Sequence, residues 1–331
     1  MSAPETLVLA RHDVRELLGL DECINAVETA FRLHLEGRSL APAVLGVPAG
    51  EGSFHVKAAG LDLGRRYFAV KTNGNFPGNP RKHGLPAIQG TLVLCDAGDG
   101  TVLAVMDSME VTTRRTAAAT AVAAKRLARA DSATATICGC GTQGREQLRA
   151  LARVLPLRRA YAFDTDEAAV RSFVASGSAE LDLEILPAWD LADAVGKSDV
   201  CVTCTPSRAP LLFRGDVRPG TFVAAVGADN ADKQELDPLL MAAAVVVVDV
   251  LDQCASIGDL HHALEAGAMT REDVHAELAS VITGRRPGRR SEAEITIFDS
   301  TGTAIEDVAA AAMAYEKAVA SGAGLRVSLG R

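Results

Sequence analysis

The chain has 331 residues, 48% hydrophobic and 23% charged, which is ample apolar material for buried cores and an ordinary charge content for a globular protein. A formal net charge of −8, with no concentrated basic face, argues against a nucleic-acid or anionic-membrane partner. The start, MSAPETLVLARHDV, lacks a basic n-region and a long apolar h-region, and the run AAAVVVVDVL is short and holds Asp249, so neither a signal peptide nor a membrane span is expected.

In chain order, LVLA reads as a first strand. DECINAVETAFRLHLEG follows, with Ile24, Val27 and Phe31 on one helical face, Asp21 as candidate N-cap and Gly37 as stop. From about Leu45 to Val105 the texture changes to SFHVKAAG, YFAVKTNG, GTLVLCDAGDG and TVLAVMD, a mostly antiparallel block of strands between Gly and Asn turns. TTRRTAAATAVAAKRLAR predicts an alanine-rich helix starting near Thr112 or Thr113. From Ala135 onward, short β-branched runs (ATICG, RAYAFD, DVCVTCT, TFVAAVGAD, AAVVVVD) alternate with helical stretches, the pattern of a parallel sheet covered on both faces. RRPGRR, Arg285 to Arg290, reads as a solvated loop. EITIFDSTG is a last strand and turn, and TAIEDVAAAAMAYEKAVASG a final helix returning to the first domain. The expected class is α/β: a Rossmann-type doubly wound parallel sheet over residues 116–302, and a mixed, β-rich α+β domain from residues 1–115 plus 303–331.

The seven cysteines sit mostly inside apolar runs. Cys201 and Cys204 form a CxxC within a strand-like run, and Cys138 and Cys140 flank a glycine. No two pairs stand at zinc-finger spacing, so no metal is expected, and reduced buried thiols point to a cytoplasmic protein.

GCGTQG fits G-x-G-x-x-G, with a strand before, a helix after, and a second strand ending in an acid. Gly139 permits the tight turn, Gly141 lets backbone approach a pyrophosphate, and Gly144 lets helix and strand pack closely. The helix N-terminus then offers free N–H groups to phosphates. Asp164 lies 25 residues beyond Gly139, against a typical offset of about 20. A carboxylate there accepts the ribose hydroxyls of NAD and repels the 2′-phosphate of NADP; the next residues are Thr165, Asp166 and Glu167, with no Arg among them. NAD is therefore the expected cofactor, ahead of NADP.

Lys57 (HVKAAG), Lys71 (FAVKTNG) and Arg115 (TTRRTAAAT) lie in apolar or small-residue surroundings. Cations are seldom buried without a partner, and together they suggest an anion to hold, such as a substrate carboxylate. For any one of them, snorkelling is the ordinary alternative. Asp229, in AVGADNADKQEL, directly follows a buried-looking strand, where a doubly wound sheet places its ligand crevice. It could move a proton or bind an amino group, or it could cap the next segment.

Together, KTNGNFPGNP with the following GLP, TTRRTAAATAVAAKRLAR, GCGTQG, TPSRAP, VGADNADKQEL and ITIFDSTGTAIEDVA resemble the ornithine cyclodeaminase/mu-crystallin family, which includes alanine dehydrogenases and cyclic ketimine reductases. The resemblance spans nearly the whole chain. It implies a homodimer, a first domain that binds substrate and dimerises, and a Rossmann second domain. It implies that Lys71 and Arg115 bind the substrate α-carboxylate, and that Asp229 is the catalytic acid/base at the substrate nitrogen. Thr116, Thr142, Gln143, Asp164, Thr205, Val226, Gly227 and Ser300 are implied at the NAD site, with Arg115 and Lys233 nearby and Thr301 toward the substrate. Several positions depart from the family pattern. Ala43 stands where relatives carry a third cation, Lys57 where many have Met, His55 where cyclodeaminases place a Glu for the distal amine, and Ala87 in place of a Thr.

All these chemistries share an imine beside a carboxylate. The leading expectation is NADH-dependent reduction of a cyclic ketimine such as pyrroline-2-carboxylate, or of a 2-oxo acid plus ammonia, to an amino acid. His55 weakens the alternative, a cyclodeaminase with recycled NAD. A third reading is a non-catalytic NAD(P)H-dependent small-ligand-binding protein; Asp229, Lys71 and Arg115 speak against it.

Overall fold

The computed structural model describes residues 5–329. The chain divides into two compact units, residues 1–115 with 303–331, and residues 116–302. The first holds strands β1 (Thr6–Leu9), β2 (Ser39–Ala49), β3 (Gly52–Asp62), β4 (Arg66–Asn75), β5 (Ile88–Asp96) and β6 (Val102–Asp107). The second holds β7 (Thr134–Cys138), β8 (Arg159–Phe163), β9 (Glu184–Pro187), β10 (Val200–Thr203), β11 (Arg208–Leu212), β12 (Phe222–Ala225), β13 (Gln234–Leu236), β14 (Val245–Val248), β15 (Ala276–Glu277) and β16 (Thr296–Asp299). The chain ends with β17 (Leu325–Val327), back in the first unit.

The first unit is one seven-stranded sheet, ordered β17-β1-β6-β5-β4-β3-β2. Its β2 to β6 run antiparallel, while β1 lies parallel to β6. Alternation puts one face in the core: Ala59 opposes Ala69, Leu61 opposes Tyr67, and Ala69 opposes Leu94, all buried. The helices Leu20–Leu35 and Ala304–Ser321 cover that face. Three starts or edges differ from expectation. The first long helix begins after Gly19, not Asp21, which sits in the first turn facing the positive end of the dipole. The helix predicted from Thr112 begins at Ser108, because Asp107 Oδ1 accepts the N–H groups of Met109 and Glu110, both at 3.0 Å. β2 starts six residues before Leu45, as an edge strand that tolerates Pro42 and Pro48.

The second unit is an all-parallel eight-stranded sheet, ordered β15-β14-β16-β12-β10-β7-β8-β9, with β11 and β13 as a separate pair. Every residue of β10, β12 and β16 is buried, as expected for strands covered on both faces. The strand order reverses between β7 and β10, so their carboxyl ends border the crevice that such sheets use for ligands.

RRPGRR is only partly a solvated loop. Arg285, Arg286 and Arg290 are exposed, but the Arg289 guanidinium donates to the carbonyls of Leu127 (2.7 Å) and Glu294 (2.5 Å) and to Thr296 Oγ1 (2.9 Å). It ties that loop to the helix end and to β16. All seven cysteines are free thiols, and burial pushes that of Cys201 up to about 12. Among the described residues, no helix is long and apolar enough to cross a membrane.

Candidate functional site

The glycine turn joins β7 to the helix Thr142–Val154. Gly139 has φ +106°, and a Cβ there would meet Cys204 O at 2.8 Å. A Cβ on Gly144 would lie 1.9 Å from Gly139 O, so the helix can approach the strand end only without a side chain there. Gly141 is different: a Cβ there would meet nothing within 4 Å. Gly141 is the helix N-cap and has no side-chain capping bond. The first intrahelical bond runs from Arg145 N to Gly141 O, so the N–H groups of Thr142, Gln143 and Gly144 have no acceptor within the helix. Gln143 Nε2 is buried and has no partner among the described residues. An uncapped helix end, an orphaned amide and open space at Gly141 fit a dinucleotide pyrophosphate.

Asp164 stands at the end of β8 and reaches back into this turn. Its Oδ2 accepts Cys140 N at 2.8 Å and its Oδ1 accepts Asp166 N at 3.0 Å. Burial, then the neighbouring Asp164, pushes the Cys140 thiol up to about 12, so it is a packing residue and not a nucleophile.

Across the reversal point, Thr205 follows β10, while Val226 and Gly227 follow β12. A residue that sequence reasoning missed joins them. Glu235, on β13 and fully buried, accepts Thr205 N (2.6 Å), Thr205 Oγ1 (2.7 Å) and Gly227 N (2.8 Å). The Thr205 hydroxyl therefore serves the protein's own carboxylate. Burial raises the Glu235 carboxyl against those bonds. Asp259 in turn accepts the N–H groups of Glu235 and Leu236, and burial, then Glu235, lifts its carboxyl to about 7. Asp229 lies in the loop after β12, with its side chain 42% exposed, and accepts Lys233 Nζ at 2.7 Å. These two expected site residues thus form an i,i+4 ion pair. Ser300 and Thr301 follow β16, both buried. Thr301 Oγ1 donates to Asp249 (3.1 Å) and accepts Gln253 Nε2 (2.7 Å), so Asp249 and Gln253 hold its orientation. Thr116 is buried in the same unit.

In the first unit, Lys57 and Lys71 are directly opposed on β3 and β4, and both are buried. Like charges so placed are unfavourable without a counterion. The helix Ala304–Ser321 supplies it: Lys71 Nζ donates to Asp307 at 2.7 Å. Arg115 pairs with Asp307 (Nε, 3.0 Å) and Glu306 (Nη1, 2.9 Å), and Thr303 N donates to Glu306 Oε1 at 3.1 Å. Burial lowers Lys71 to about 7, assisted by Arg115 and opposed by Asp307. Burial alone would raise the Asp307 carboxyl, but Lys71 and Arg115 outweigh it and hold it below the usual range. Among these five groups, three cations face two carboxylates. Nothing in the sequence marked Glu306 and Asp307 as counterions: they lie 191 and 236 residues from their partners, in an alanine-rich helix. His55, two residues along the same strand face as Lys57, bonds Ser53 Oγ through Nε2 at 2.8 Å.

The sequence profile of the ornithine cyclodeaminase/mu-crystallin family matches residues 4–322. This chain belongs to that family. It is 40% identical to an alanine dehydrogenase of Archaeoglobus fulgidus over 327 residues, 99% of each chain. Its fold is similar to that of an archaeal alanine dehydrogenase dimer with bound NAD, with TM-score 0.94, 39% identity, and coverage of 98% of this chain and 100% of that one. It is equally similar to the pyrroline-2-carboxylate reductase of Thermococcus litoralis in complex with NADH and L-proline, with TM-score 0.94, 34% identity, and coverage of 97% and 100%. The α/β class and the Rossmann-type sheet expected from the strand–helix alternation are those observed.

Proposed function

We propose that this protein is an NAD-dependent reductase of imines next to a carboxylate, forming an amino acid from a cyclic ketimine or from a 2-oxo acid with ammonia. The observation that carries the reading is the buried cluster of Lys57, Lys71 and Arg115, gathered in one unit around Glu306 and Asp307. A substrate carboxylate is the anion that completes it.

Lys71 and Arg115 bind the carboxylate and fix the α-carbon, a positioning effect worth several kcal/mol. Lys57 takes the place of the cation missing at Ala43. Gly139, Gly141, Thr142, Gln143 and Gly144 receive the pyrophosphate, and Asp164 the adenosine ribose. The acids Asp164, Asp166 and Glu167 favour NAD over NADP. Thr116, Thr205, Val226, Gly227, Lys233 and Ser300 line the remainder of the cofactor site, and Thr301 stands toward the substrate. NADH, when bound, supplies a hydride to the imine carbon. Asp229, its carboxylate held by Lys233, stabilises the iminium and relays to nitrogen a proton taken up from solvent. His55, already bonded to Ser53, offers a distal ammonium no carboxylate, which disfavours cyclodeamination.

Asp229→Asn tests the reading. Turnover is expected to fall by about 10²–10⁴-fold while NADH binding, followed by calorimetry, stays intact. Near-wild-type turnover contradicts the role.

A homodimer built on the first unit accompanies this proposal. β2 is a sheet edge that exposes Leu40, Val44, Leu45 and Val47, with Phe54 beside it on β3. A long apolar edge is a liability unless another chain covers it. The free thiols and the absence of a basic face support a cytoplasmic setting.

A further inference from the structure

The only tryptophan of the chain, Trp189, is 60% exposed. Its position in the fold is specific. β9 pairs in parallel with β8, with Ala160 opposite Ile185 and Ala162 opposite Pro187. That ladder closes with Ala188 N donating to Ala162 O at 2.8 Å. Asp164, the acid placed at the adenosine ribose, is the first residue past β8 and Trp189 the second past β9, so both stand at the carboxyl edge of these neighbouring parallel strands. The segment is also held on both sides. Ala188 is buried, and Asp190 caps the helix Leu191–Gly196 by accepting Asp193 N at 3.0 Å.

We propose that Trp189 is the adenine platform of the cofactor site: its indole, anchored at the carboxyl end of β9 beside Asp164, stacks on the adenine base. The inference rests on the dinucleotide reading of the glycine turn. An exposed indole leaves a large apolar surface in water, and a base is a flat partner of matching size. Stacking on a residue whose backbone is held between buried Ala188 and the capping Asp190 loses little further backbone entropy. The turn takes the pyrophosphate and Asp164 the ribose, so the base emerges at the strand ends next to Asp164. Stacking does not read the edge of the base, so the platform accepts nucleoside diphosphate derivatives with a free 2′-hydroxyl, ADP-ribose among them.

The test uses the full-length protein and ADP-ribose, which carries the adenine half without the nicotinamide. Fluorescence excited at the indole reports on Trp189 alone. The expected result is quenching by ADP-ribose that saturates with the binding isotherm measured by calorimetry, and no quenching by nicotinamide mononucleotide. Trp189→Ala is expected to weaken ADP-ribose binding about tenfold, within the range for loss of one base stack. Trp189→Phe is expected to recover most of it. Both substitutions leave the thermal midpoint unchanged, because the side chain is outside the core. Calorimetric binding to wild type with no quenching, or unchanged affinity in Trp189→Ala, overturns the platform and leaves the dinucleotide reading standing. A signal that follows protein concentration and ignores ADP-ribose makes the indole an assembly contact and also overturns it. If neither ADP-ribose nor NADH binds the wild type, both readings fall together.

Discussion

At the scale of single residues, the decisive feature is a lysine that burial has made easy to deprotonate. Lys71 titrates near 7 in the folded chain, against 10.5 for an ordinary lysine. Only its protonated form attracts a carboxylate, so kcat/KM for an anionic imine is expected to fall as pH rises above about 7. Lys71→Arg, which keeps its charge, is expected to flatten that limb. The sign for stability is opposite. Between about 7 and 10.5 the unfolded chain holds the lysine proton and the folded chain does not, so this group favours the folded state increasingly as pH rises. A pH–rate profile that is flat through 7–9 in wild type contradicts the assignment. The partner carboxylate makes a separate prediction. Asp307→Ala leaves Lys71 and Arg115 buried without their shared acid, at a cost of about 3–5 kcal/mol, measurable by denaturant unfolding.

At the scale of elements, the glycine turn separates structural from functional glycines. Gly144→Ala drives a Cβ into Gly139 O and is expected to destabilise the fold. Gly141→Ala meets open space, so it is expected to unfold within about 0.5 kcal/mol of wild type. It is nonetheless expected to bind NADH at least tenfold more weakly, because the methyl occupies the approach of the pyrophosphate. Equal NADH affinity in Gly141→Ala would remove the phosphate from that turn. This turn was legible in the sequence because its φ angle and close backbone approach admit glycine alone. Strand–helix alternation was legible for the same reason that β10, β12 and β16 are buried: apolar runs covered on both faces stand out. Element ends were less so. Asp107 belongs by composition to the strand TVLAVMD yet caps the following helix, and the prolines of β2 hide an edge strand. Partners distant in sequence were invisible: nothing in AIEDVA marks Glu306 and Asp307 as counterions, and nothing in KQEL marks Glu235 as the residue that joins two strand ends.

At the scale of the whole molecule, the exposed apolar edge at β2 predicts how copies of the chain associate. If β2 is the dimer edge, Leu45→Glu combined with Val47→Lys is expected to shift sedimentation from dimer to monomer while leaving each chain folded. A dimer that survives the double substitution moves the interface elsewhere. The central claim is net reduction of an imine. The measurement that tests it most directly is absorbance at the NADH band with purified protein. The panel is pyrroline-2-carboxylate, piperideine-2-carboxylate, pyruvate with ammonia, and ornithine or lysine with catalytic NAD⁺. Stoichiometric loss of NADH is expected with at least one imine or with the oxo acid plus ammonia. Ammonia released from a diamino acid with no net change in NADH would contradict it, making the protein a cyclodeaminase despite His55.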